Sequence, residues 1–134
     1  MRKLYIICLT FALLCTVAYA DKKYPMTAAS NVPAAQAEVA IGTDDNGNTS
    51  LKMKVQHLAH PENLTPRAVV YVVWLQERGE NSQNIGQLRV DKNLKATFET
   101  VTSLKSFDVL VTAEQEIRAK NPTGPEILKA TIQL

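Results

Sequence analysis

The stretch VVYVVWLQE, Val69 to Glu77, holds the only tryptophan of the chain, Trp74, in a run where Val70, Val72 and Trp74 alternate with Tyr71, Val73 and Leu75. A half-buried strand shows polar residues at every second position, and this one shows none. The stretch is therefore read as a strand inside a sheet, carrying a second cover on its outer face. Trp74 belongs to the core in that reading. If one face lacks a cover within the monomer, either Tyr71/Val73 or Val72/Trp74 becomes a patch for a partner.

On both sides of this strand the sequence keeps period two, broken by turn residues every eight to twelve positions, the spacing of a sandwich or barrel. Ala37, Val39 and Ile41 alternate in a strand that stops at Asp44-Asp45-Asn46-Gly47-Asn48, a hairpin signal. Leu51, Met53, Val55 and His57 then share one face, opposite Lys52, Lys54 and Gln56. A loop with Pro61 and Pro66 precedes the tryptophan strand, and polar Glu77 to Asn84 follows it. Ile85 to Val90 is short, and its Gly86 predicts a bulge or a close backbone approach. Leu94, Ala96 and Phe98 are expected to face inward after a turn at Asp91-Lys92-Asn93. Phe107, Val109 and Val111 form the next strand, and Leu128, Ala130, Ile132 and Leu134 share a face of the last. Seven strands spread over residues 36–134 point to an all-β domain, an immunoglobulin-like antiparallel sandwich, with a small closed barrel as the alternative.

The N-terminus has another character. Arg2 and Lys3 precede an apolar run from Leu4 to Tyr19, and Ala18-Tyr19-Ala20 supplies small residues, which is the layout of a secretory signal peptide cleaved after Ala20. The run is short of the ~20 residues of a membrane-spanning helix. A lipid anchor at Cys15 is disfavoured, because Leu14 stands where a small residue is expected. Residues 21–35, rich in small residues, lysine and proline, read as a flexible leader. Cleavage removes Cys8 and Cys15, hence all thiol chemistry, and leaves 114 of the 134 residues, enough for one domain. It also removes Arg2 and Lys3 from the 15 basic residues, leaving 13 against 13 acidic ones. A neutral domain offers no electrostatic case for nucleic acid or an anionic membrane surface.

Enzyme signatures are missing: there is no GxSxG elbow, no HExxH and no glycine-rich phosphate loop, and the acids are scattered over turns and polar faces. The expectation is a non-enzymatic protein without a catalytic set or a cofactor. The alternative is a copper or small-molecule binder of the periplasm using Met53, His57 and His60, a soft ligand set within eight residues. Against it, Met53 shares the apolar face of Leu51 and Val55, where it fills the core. Asn48-Thr49-Ser50 and Asn63-Leu64-Thr65 fit the N-glycosylation pattern, which matters only in a eukaryotic secretory pathway, and Pro66 weakens the second. Glu114, after Val111-Thr112-Ala113, reads as a solvated strand-end acid, with loop capping as the alternative.

Four segments in order carry a resemblance: YVVWLQ at Tyr71 to Gln76, IGQLRVD at Ile85 to Asp91, FDVLVTAEQ at Phe107 to Gln115, and NPTGPEILKATI at Asn121 to Ile132. Together they resemble the C-terminal extracytoplasmic domain of bacterial anti-sigma factors of the sigma-K regulator type, over roughly half the chain. The resemblance implies a β-sandwich outside the cytoplasmic membrane and no catalytic residues. The sequence departs from the family plan, in which a membrane span and a sigma-binding cytoplasmic domain precede this part. The expected role is thus an interaction or sensing module, secreted or periplasmic, with an envelope or secreted protein as partner. Within the fourth segment, Pro122 and Pro125 fix φ and Gly124 permits a positive one, so Pro-Thr-Gly-Pro reads as a rigid turn into the last strand.

Overall fold

The computed structural model describes residues 21–134, and the signal peptide expected at residues 1–20 lies outside the described residues. Nine strands and one 3-10 turn follow in chain order: β1 (Lys22–Pro25), β2 (Thr27–Ala28), β3 (Gln36–Thr43), β4 (Thr49–Gln56), the turn at Pro61–Asn63, β5 (Val70–Gln76), β6 (Gln83–Leu88), β7 (Ala96–Thr102), β8 (Ser106–Glu114) and β9 (Glu126–Gln133). They form two antiparallel sheets, β1-β3-β4-β7 and β2-β9-β8-β5-β6, which do not close into a barrel. The tryptophan strand is β5. It pairs on both sides, Val73 standing between Gly86 of β6 and Val111 of β8, as a strand without a polar face requires.

Alternation divides the residues of the five-stranded sheet. Tyr71, Val73 and Leu75, with Phe107, Val109, Val111 and Ala113 of β8 and Leu128, Ala130 and Ile132 of β9, join one core with Val39, Ile41, Leu51, Met53 and Val55 of the opposite sheet. Val72, Trp74 and Leu110 point the other way and form a separate small cluster. Two register shifts tune this layering. Val73 pairs with Gly86 but Trp74 with Asn84, so Ile85 is the extra residue, as the glycine predicts. Gly86 has φ +142°, and a Cβ there would meet Phe98 Cε2 at 3.0 Å. The second shift, between Val111 and Thr112, lets consecutive Ile127 and Leu128 of β9 both be buried.

The segment 21–35 is not a flexible leader. Lys22 to Pro25 pair with Ile41 to Glu38 in one sheet, and Thr27 and Ala28 pair with Lys129 and Leu128 in the other. The chain changes sheets at Met26, which is buried with Val32 and Ala35. Four residues in one sheet and two in the next leave no stretch long enough for an apolar period to register, and this raises the strand count from seven to nine. The ends of two other strands also differ from expectation. Leu94 sits in the turn with φ +60° and is 39% exposed instead of facing inward, and Leu134 lies beyond β9, exposed.

Candidate functional site

The most organised polar cluster among the described residues surrounds Glu114, the last residue of β8. It is 1% exposed, so it is not the solvated strand-end acid that its position suggests. Its Oε1 accepts from the Thr112 hydroxyl at 2.6 Å, the Thr123 N–H at 3.0 Å and the Gly124 N–H at 3.1 Å. Its Oε2 accepts from the Thr123 hydroxyl at 2.6 Å and the same Gly124 N–H at 3.1 Å. Burial alone would raise the carboxyl pKa, but donors from Thr112, Thr123 and Gly124 stabilise the charged form more, and the pKa is lowered below its ordinary 4.5. Hydrogen bonds rather than a cation compensate the charge: no ion pair of Glu114 occurs among the described residues.

The sequence builds this latch at fixed offsets. Two residues back on β8, Thr112 lies on the same face as Glu114. Gly124 approaches so closely that a Cβ would overlap the Ala113 carbonyl, and the Pro125 carbonyl accepts from Ala113 N–H at 3.1 Å. Residues 115–125 thereby return to the sheet as a strap. Asn84 of β6 ties its far side, donating from Nδ2 to the Ile117 carbonyl at 2.9 Å and the Ala119 carbonyl at 3.0 Å. Ala119 packs on the Val72, Trp74 and Leu110 cluster. Trp74 is the link between cluster and latch: its Nε1–H donates to the Thr112 hydroxyl at 2.8 Å, and it is fully buried. The strap is the second cover that β5 requires. A carboxylate whose two oxygens are saturated by donors is suited to holding a loop and poorly suited to accepting a proton from a substrate.

The residues singled out in the sequence are not brought together. Tyr71, Val73 and Trp74, the candidate partner surface, are all fully buried, Tyr71 and Val73 between the sheets and Trp74 beneath the strap. The Tyr71 hydroxyl donates to the Ala59 carbonyl at 2.6 Å. Met53, the first of the three candidate copper ligands, is fully buried in the inter-sheet core. His57 leaves the face that alternation assigns it, because its φ is +56° after β4 ends, and it is exposed. Four residues of extended chain separate Met53 from His57 by about 13 Å, beyond the span of a shared ion. His60 stands at the start of the 3-10 turn, its carbonyl accepting from Asn63 N–H. Sequence reasoning passed over Thr112, Thr123 and Asn84. The signal for the first two was the Val-Thr-x-Glu and Pro-Thr-Gly-Pro pair, whose members meet across the strap.

No family model and no curated protein matches the chain.

Proposed function

We propose that the chain works as a secreted or periplasmic, non-enzymatic interaction or sensing module, akin to the extracytoplasmic domain of the anti-sigma factors it resembles, with an envelope or secreted protein as its partner. One observation carries the reading. The four segments of the resemblance are β5, β6 with its following turn, β8, and the strap end with β9, and the first, third and fourth of them converge on one unit. Trp74 comes from the first, Thr112 and Glu114 from the third, and Thr123 and Gly124 from the fourth. The signal-peptide layout of residues 1–20 supports an extracytoplasmic setting. No helix among the described residues is long and apolar enough to cross a membrane.

The test is expression of the whole chain with its own N-terminus in a bacterial host, with a photo-cross-linking residue at exposed Val69 beside the strap or at exposed Ile117 within it. The expected result is a periplasmic product beginning at Asp21 that forms a discrete adduct with an envelope protein. A product that keeps Met1 in the cytosol, or one that forms no adduct from either position, overturns the proposal.

A further inference from the structure

Three of the four sheet edges are blunted. The β1 edge is four residues long and carries Lys22, Lys23 and Pro25, the β2 edge is two residues long, and the β6 edge is interrupted by the shift at Gly86. Lysine, proline, shortness and bulges are the devices that keep sheet edges from pairing with other chains. The remaining edge, β7, has neither lysine nor proline, is neither short nor bulged, and carries one charge, Glu99, which Lys52 partners. It runs seven residues, Ala-Thr-Phe-Glu-Thr-Val-Thr, pairs in unbroken register with β4 alone, and is rich in β-branched residues. Val101 on its outer face is 54% exposed, while Phe98, Thr100 and Thr102 on the inner side are only half-buried. A regular edge of this kind offers a row of backbone donors and acceptors to one more strand.

We propose that β7 docks a second copy of this chain, two β7 strands pairing antiparallel about a two-fold axis and extending the four-stranded sheet to eight. The proposal stands apart from the envelope reading above. A two-fold pairing must be centred on a residue for inner side chains to meet inner ones and outer side chains outer ones. Centring on Glu99 sets two carboxylates opposite each other. Centring on Thr100 instead places Glu99 against Val101 of the second copy, Phe98 against Thr102, and Thr100 against itself, so that no like charges meet. Lys52 already stands 3.4 Å from Glu99, so the charge brought to the seam arrives partnered. The half-buried inner residues of β7 gain the cover they lack. The short seam makes the dimer a weak one, populated by concentration.

The register supplies its own test. Val101→Glu sets a carboxylate against Glu99 of the second copy twice per dimer, whereas Val101→Lys sets an ammonium there. Sedimentation equilibrium of the purified protein, as the expressing host processes it, is followed from about 5 to about 500 micromolar, the weak end of protein association. The expected result is a monomer–dimer equilibrium that Val101→Glu weakens about tenfold and Val101→Lys preserves or tightens. Circular dichroism and Trp74 emission check that both variants remain folded. A monomer throughout the range overturns the proposal. So does a dimer indifferent to Val101→Glu, or one that both substitutions weaken alike.

Discussion

The indole of Trp74 and the hydroxyl of Thr112, 2.8 Å apart, fix the direction of a hydrogen-bond chain. Indole N–H can only donate, so the Thr112 oxygen accepts, and its own proton is free for Glu114 Oε1 at 2.6 Å. The tryptophan thus acts on the strap in two ways, through apolar contact with Ala119 and through the polarity it imposes on the latch.

Thr112→Val keeps the shape of the side chain and deletes both bonds, leaving a buried indole N–H without an acceptor and a buried carboxylate short of a donor. A loss of about 2–3 kcal/mol is expected in urea unfolding followed by Trp74 emission. Thr112→Ser, which keeps the hydroxyl, retains most of the stability. A Thr112→Val protein within about 0.5 kcal/mol of the parent would mean that the latch contributes little.

Glu114 sets part of the pH dependence. Its folded pKa is depressed, so its contribution is present above the ordinary carboxylate range and is lost as pH falls through that range and below it. Glu114→Gln removes this share of the acid limb. At neutral pH it also turns an amide NH2 toward the Thr123 and Gly124 donors, lowering stability by about 2 kcal/mol. Asp91 keeps the remaining acid limb from vanishing, because N–H donors from Lys95 and Asn93 lower its pKa too. Unfolding midpoints between pH 7 and pH 3, measured on parent and variant, should converge toward acid; parallel curves would remove Glu114 from the acid response.

The turns at 44–48 and 91–95 are twins. In each, an aspartate Oδ1 accepts from the N–H groups two and four residues on, and the fourth residue has positive φ. That residue is Gly47 in one and Leu94 in the other. A left-handed leucine costs about 1 kcal/mol, so Leu94→Gly is expected to stabilise by about 0.5 kcal/mol after the added freedom of the unfolded chain is counted. A lower thermal midpoint for Leu94→Gly would show that the contacts of the leucine outweigh its strain.

Tyr71 governs the alkaline side. Burial, reinforced by the nearby Glu62 charge, pushes its pKa up from 10.0 to about 12. The raised value means stability is full below pH 10.0 and is lost as pH rises from there to about 12. Absorbance at the phenolate band should therefore report Tyr71 ionising together with unfolding, and Tyr71→Phe should flatten this limb. A Tyr71 that titrates reversibly in the folded protein near its ordinary value contradicts the burial.

The sandwich was legible because β3, β4, β5, β8 and β9 are long enough for period two to be counted, and because β5 lacks a polar face. Gly86 was legible because only a bulge or a close approach asks for glycine there. The burial of Trp74 was legible, but not which way it faces, since alternation names two faces without saying which covers what. Residues 21–35 escaped because their pairing is split between two sheets. For Glu114 the sequence leaves two readings, a solvated strand-end acid and a loop cap, and the second holds; the choice was not legible because its donors Thr123 and Gly124 come from a loop nine and ten residues on, where no periodicity operates. Met53, His57 and His60 are close in sequence, but that closeness does not carry into space: Met53 fills the inter-sheet core, as its face shared with Leu51 and Val55 foretells, and the backbone of His57 turns left-handed past the end of β4.

The sheet-switching first strands have a mechanical consequence. The Tyr24 hydroxyl donates to the Gln133 carbonyl at 3.0 Å, so the chain enters and leaves the domain at the same end, antiparallel to itself. A pull between the two ends loads the β2–β9 hydrogen bonds one after another, as a zipper, instead of shearing them together. Under such a load β1 with β2 is expected to peel away first, which would bare the outer edges of β3 and β9 in one event.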